Sequence, residues 1–176
     1  MTSLLKSSRV MSSEVNLEGL LTSMMTIILE NTGAACAAVI VKDEIFGVCA
    51  YGSRGEKAKI LDPPLPLKDD NDLVSISILH HTINTGEYTF VPCVEQDPRF
   101  ATGAWFMRAG KRVSVICMPI KHKDSMDGCL IIEGPMGIFT QRHVTVLSLL
   151  CQQIGISMAN AFLFKSVQRV TMANAK

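Results

Sequence analysis

The sequence is short of charge and of aromatic rings. Charged residues make up 19% and aromatic residues 6%, against a hydrophobic share of 48%. A chain this apolar is globular and not disordered. Its 176 residues suit one domain with a full core. No charge of one sign dominates: 17 basic and 16 acidic residues leave a net charge of +1. With no basic run interleaved with aromatics, no nucleic-acid partner is expected. No apolar stretch approaches the roughly 20 residues of a bilayer span, so no membrane insertion is expected. The opening segment, MTSLLKSSRVMSSEVN, has neither a continuous apolar core nor a small-residue cleavage site, so it does not read as a secretory signal. A cytoplasmic location is expected.

The six cysteines are Cys36, Cys49, Cys93, Cys117, Cys129 and Cys151. They form no CxxC pair and no Cys/His spacing of a zinc site, so no metal is expected. Four of them lie in apolar runs and read as buried free thiols of a reducing compartment. No Ser/His/Asp set, carboxylate pair or glycine-rich phosphate loop emerges. No catalytic residue is assigned, and no enzyme is expected.

Apolar spacing gives the elements. Residues 3–13 can form a short connecting helix. Asn16 is a candidate N-cap for a helix carrying Leu17, Leu20, Leu21, Met24, Ile27 and Ile28 on one face, stopped at Asn31 and Gly33. Residues 34–42 and 45–52 read as a hairpin. Residues 53–71 read as a loop broken at Pro63, Pro64 and Pro66. Asp72 is expected to cap a helix to Thr85, with Leu73, Ile76, Leu79, His80 and Ile83 on its inner side and Gly86 ending it. A short strand at 87–91 precedes an irregular stretch, 92–111, with at most a turn near Asp97–Phe100 and another near Trp105–Ala109. Strands at 113–120 and 129–133 form a second hairpin. Thr140 caps a last helix whose spacing continues to about Val170, beyond what one domain needs to cover its sheet. The expectation is an α+β domain: an antiparallel sheet of five or six strands with helices on one face and the terminal helices together.

Three stretches resemble the GAF domain family over roughly residues 14–164. SVICMPI (Ser114–Ile120) is similar to the family's S-V-L-C-x-P-I strand. GCLIIEGPMGIFTQRHVTVLSLLCQQIGISMANAFLF is similar to its closing strand and helix. LLKSSRVMSSEVNLEGLLTSMMTIILENTGA looks like the entry to GAF domains in multi-sensor and hybrid histidine kinases. The resemblance implies a PAS-related sheet of order 2-1-5-4-3 type. It implies a connecting helix at 1–15, a GAF domain at 16–164 and a signalling-helix extension at 165–176. It further implies a regulatory input module of a hybrid histidine kinase, with the other domains of that chain, a second copy and an unidentified small molecule as partners. The family's Y-L-E-N is replaced by Ile131, Ile132, Glu133 and Gly134, and its aspartate-tyrosine step by Gly103, Trp105 and Phe106. Both changes fall where the family lines its pocket, so no cofactor is named. The cyclic-nucleotide motif N-K-x-F-D-E is missing, and no Cys precedes a His as bilin attachment requires.

Phe90, Phe100, Trp105 and Phe106 gather around the irregular stretch that this fold lays over its sheet. With Cys117 and His80 they are the candidate ligand-pocket residues, where a planar ligand stacks or the rings themselves fill the space. His80 is read as a core histidine and His81 as exposed. A thiol sensor, or an enzyme like the free-methionine sulfoxide reductases, is the alternative, through Cys93, Cys117 and Cys129. A turn centred near residues 124–125 sets Cys117 opposite Ile132 and puts Cys129 on the other face; a slip of one residue reverses this. Leu147, Leu150, Ile154, Met158, Ala161 and Phe164 form a near-heptad stripe, part of which must cover the sheet while the remainder is expected to pair two copies in parallel, with a ligand-free dimerisation module as a further alternative.

Overall fold

The computed structural model describes residues 18–67 and 71–174, with side chains to residue 160. The expected helix at 3–13 and the Asn16 cap lie outside the described residues. The chain runs α1 (18–32), β1 (Cys36–Asp43), β2 (Ile45–Ser53), β3 (Lys59–Pro66), α2 (Ile76–Thr85), β4 (Thr89–Val91), a 3-10 turn at Val94–Gln96, α3 (Gly103–Ala109), β5 (Val113–His122), β6 (Ser125–Pro135) and α4 (Gln141–Asn174).

The six strands form one antiparallel sheet in the order β3-β2-β1-β6-β5-β4. Without β3 this is the expected 2-1-5-4-3 order. The expected loop at 53–71 is corrected by β3, which pairs with β2 through Val48↔Leu65 and Ala50↔Ile60. It is an edge strand, where a proline's missing N–H leaves no ladder partner unmet.

Helices cover both faces of the sheet, not one. On one face Val39, Ile116, Met118, Leu130 and Ile132 meet Met25 and Ile28 of α1 and Leu147 and Ile154 of α4. On the other, Ile40, Val115, Cys117, Cys129 and Ile131 meet Ile78 and Leu79 of α2 with Phe100 and Trp105. Burial on both sides explains why Val115–Ile120 of β5 reads as an unbroken apolar run, since neither alternate set of these side chains faces open water.

Local chemistry fixes the elements. Glu44 turns the β1–β2 hairpin alone, at φ 65° with Asp43 paired to Ile45. The guanidinium of Arg54 donates to the carbonyls of Leu29 (2.7 Å) and Ala34 (3.3 Å), tying the end of α1 to the sheet. Ser75, not Asp72, caps α2, its hydroxyl accepting from the amide of Ile78 at 3.3 Å, and Gly86 closes it in the left-handed region. At the start of α4, the Thr140 amide donates to Nδ1 of His143 at 3.0 Å, a capping-box contact with histidine in the usual Glu place.

The β5–β6 hairpin turns at Lys123 and Asp124, with His122 opposite Ser125. A bulge then places Lys121 opposite Met126 but Ile120 opposite Gly128, so Asp127 is the extra residue. Cys117 therefore faces Ile131 and not Ile132, and Cys117 and Cys129 share one face.

α4 crosses β5 at Gly155, where an added Cβ would stand 2.7 Å from the Lys121 carbonyl oxygen. The backbone there cannot yield without moving the strand. Gly155→Ala is expected to lift α4 from β5 and lower stability by about 1–3 kcal/mol, read from urea denaturation. An unchanged midpoint would show that the helix is not held at this contact.

Candidate functional site

The candidate site lies between the sheet and α3. Glu133 sits in β6 on the face that carries Ile131 and is only 7% exposed. A carboxylate there needs partners for both oxygens. Oε1 accepts from the Arg108 guanidinium at 2.6 Å, and Oε2 accepts from the Trp105 indole N–H at 3.1 Å. Trp105 and Arg108 are three residues apart on α3, so one helix face presents both.

Arg108 also donates to the carbonyls of Asp72 (2.7 Å) and Leu73 (3.2 Å). Those carbonyls are presented by a turn in which the Asn71 side-chain oxygen accepts from the amides of Leu73 (2.9 Å) and Val74 (3.0 Å). The clasp thus joins three segments far apart in sequence: β6, α3 and the lead-in to α2. Burial weakens the Arg108 charge, but the hydrogen bond and charge of Glu133 outweigh it, and the guanidinium is held more firmly protonated than usual.

Beneath the clasp a cavity of about 10 Å³ is lined by Cys36, Tyr51, Leu73, Trp105 and Glu133 among others, room for about one water. Burial, then the neighbouring Cys36 thiol, pushes the Tyr51 hydroxyl above its ordinary range. A larger groove of about 470 Å³ lies on the α1/α4 side, lined by Leu21, Cys49, Ile60 and Met158 with the carboxylates of Glu18, Asp43 and Asp62.

The structure gathers Phe100, Trp105, Phe106 and Cys117 on the α2/α3 face. It does not bring Phe90 or His80 there. Phe90 pairs with Ile116 and packs on the α1/α4 side. His80 is exposed and the half-buried histidine is His81, whose ring meets Phe100 edge-on at 5.5 Å, which reverses the expected assignment. The inner face of α2 is set by Ser75, Ile78, Leu79 and Thr82; at 100° per residue His80 falls nearly opposite it. Asp97 and Arg99 form a two-pronged pair at 3.0 and 2.8 Å in solvent, and the guanidinium lies over Phe100.

Cys117 and Cys129 are fully buried side by side. Burial, then the adjacent Cys129 thiol, pushes the Cys117 thiol well up. Cys93 is half-buried ahead of the 3-10 turn. The Cys49 thiol donates to the Val39 carbonyl at 3.4 Å and burial pushes it up to about 12. Of the expected pairing stripe, Leu147, Ile154 and Met158 are at most 1% exposed and Leu150 packs against the same core. Leu147, Ile154 and Met158 cover the sheet, as part of the stripe was expected to do, while Leu150 is only partly buried; the side chains of Ala161 and Phe164 lie outside the described residues.

Sequence spacing pointed to Trp105 but not to Arg108, Tyr51 or Cys36. Glu133 stood out only as part of a changed family motif.

The GAF domain family model matches residues 16–158, and the chain belongs to that family. It is 29% identical over 99% of its length to Peroxide stress-activated histidine kinase mak3 of Schizosaccharomyces pombe, and 22% identical over 98% to Histidine protein kinase 1 of Candida albicans. It spans only 7% of either relative. Among solved structures it is similar to the GAF domain of a Coxiella burnetii phosphoenolpyruvate-protein phosphotransferase, with TM-score 0.65 and 15% identity over 92% of this chain and 96% of that one. It is also similar to the type II free methionine-R-sulfoxide reductase of Thermoplasma acidophilum, with TM-score 0.62 and 10% identity over 82% of this chain and 94% of that one. At these identities the structural matches speak for the fold alone.

In the clasp, Arg108→Ala is expected to lower stability by about 2–4 kcal/mol, because it leaves the Glu133 carboxylate buried without its cation. Adding Glu133→Gln to Arg108→Ala should recover part of that loss, since a neutral amide needs no cation. A double-mutant cycle by urea denaturation reads the coupling; purely additive losses would show that the pair does not hold α3 in place.

Proposed function

We propose that this GAF domain is a regulatory input module of a histidine-kinase chain, without catalysis of its own. The observation that carries this reading is α4, a single 34-residue helix whose residues Val144, Leu147, Cys151, Ile154 and Met158 pack on the sheet. Near-full-length similarity to segments of fungal histidine kinases supports the same context. The side chains of Phe100 and Trp105 occupy the face where the fold would take a ligand, so the module transmits the packing of its own elements through α4 to the domains beyond. The thin cavity under the clasp agrees with a relay that needs no large occupant.

A relay through a continuous helix depends on rotational phase. In a histidine kinase that contains this chain, inserting two residues after Asn174 should change autophosphorylation severalfold, whereas inserting a full heptad should restore it. Equal output from both insertions would sink the relay.

Two observations favour a second reading, as a thiol sensor: Cys117 and Cys129 lie together on one face, and two of the relatives are named as peroxide stress-activated kinases. Against it, a thiolate is the reactive form, and burial opposes it at Cys117 and Cys151. Native iodoacetamide labelling at pH 8 should modify Cys36 and Cys93 within minutes and leave Cys117, Cys129 and Cys151 intact until the chain is denatured, as read by peptide mass mapping. Fast loss of Cys117 and Cys129 at low peroxide would favour the sensor instead.

A further inference from the structure

The larger groove, on the face opposite the clasp, has no part in the reading above. The start of α1, the β1–β2 hairpin and the edge strand β3 build it, and Met158 of α4 also lines it. β3 does not follow β2 evenly. Val48 pairs with Leu65 and Ala50 with Ile60, so residues 61–64 arch out against Cys49 alone. Pro63 and Pro64 stiffen the arch. It sits down on Gly47, where an added Cβ would stand 2.9 Å from the Pro64 Cβ. The backbone of β3 thus shapes the groove. Its volume of about 470 Å³ falls within the range of small-molecule sites, about 300–1,000 Å³.

The lining has two parts. Leu21, Val41, Ile60 and Met158 make an apolar floor, and the Cys49 thiol beside them is already spent on the Val39 carbonyl. The exposed carboxylates of Glu18, Asp43 and Asp62 line the same groove. Among the described residues no Lys, Arg or His lines it, and none of the three carboxylates forms an ion pair. Lys42, beside Asp43 in sequence, lies over the Phe46 ring at 5.7 Å, and Phe46 packs on the other core. A cleft lined by one sign of charge focuses its field on an incoming counter-ion. No three His, Cys, Asp or Glu side chains among the described residues are placed to hold a metal ion. The matching cation is therefore carried on an organic body that reaches the apolar floor between the carboxylates.

We infer that this groove is a binding site for a small organic cation, an ammonium group on an apolar body. The body covers the floor and the ammonium donates to the carboxylates. An uncharged apolar molecule leaves those carboxylates unanswered, and an organic anion is repelled by all three. The occupant touches α1, the sheet edge and α4 at once. It adds a ligand to the input module at a place distinct from the α3 face, and it does not depend on the kinase context.

The test is isothermal titration calorimetry of the 176-residue chain with n-octylammonium chloride, octan-1-ol and sodium octanoate. The ammonium should bind at least about tenfold more tightly than the alcohol and weaken severalfold as salt is raised, with no binding of octanoate. Asp43→Asn with Asp62→Asn should weaken the ammonium about tenfold and leave the alcohol unchanged. Glu30→Gln with Glu56→Gln removes the same charge away from the groove and should change neither. All four positions are exposed, so the thermal melt should hold. Ile45→Arg, at an exposed position on the groove wall, should abolish ammonium binding. Amide shifts caused by the ammonium should centre on Cys49 and Ile60. No ammonium binding, equal affinity for the alcohol, an equal loss from both pairs of substitutions, or shifts centred on Trp105 and Glu133 would each overturn the site. Any of these would leave the kinase-input reading standing, because its readout is autophosphorylation, and phase-insensitive kinase output would leave the groove's ligand in place.

Discussion

A sheet with both faces buried governs the rest of this molecule. Each strand of its centre sends alternate side chains into two separate cores, so each face needs its own cover. α1 and α4 supply one cover. α2, the 3-10 turn and α3 supply the other with shorter elements. The burden falls on Phe100 and Trp105, whose ring area does what a longer helix would otherwise do. A tryptophan placed so deeply must satisfy its N–H, and the Glu133 carboxylate does so. That carboxylate in turn requires a cation, which Arg108 supplies from the same helix. The polar clasp is thus a consequence of covering the second face with a seven-residue helix.

Much of the sheet was legible in the sequence. Short apolar runs bounded by turn residues located five of its strands, and the family resemblance implied their order. β3 was hidden because prolines at 63, 64 and 66 argue against a strand unless it lies at an edge. The second helical cover was readable in principle. Eight residues of β5 pass without a polar alternation, which is the mark of two buried faces. The register of β5 on β6 was not readable, because the extra residue, Asp127, lies in a polar stretch where any position is an equally good bulge.

The site was less legible for a physical reason. Arg108 and Glu133 are 25 residues apart, and an ion pair across that span leaves no periodicity behind. Only the tertiary fold sets them together. Helix faces failed differently. His80 and His81 differ by 100°, so a modest error in the centre of the α2 face exchanged their roles. In α4 two stripes with the same three-four step run two residues apart, and a periodicity argument has no means to choose which one meets the sheet.

The stripe that meets the sheet joins α4 to a layer that the α3 face also packs on. The α3 face and the α4 face share a single layer, and β5 belongs to both: Val115 and Cys117 point to one core while Ile116, Met118 and Ile120 point to the other. Gly155 brings α4 against the Lys121 carbonyl of the same strand. A displacement of α3 that reaches α4 must cross this layer, and close-packed interiors shift between discrete arrangements more readily than they stretch. Through its inner stripe and Gly155, α4 is fixed to β5, so the helix cannot stay in place if that strand shifts.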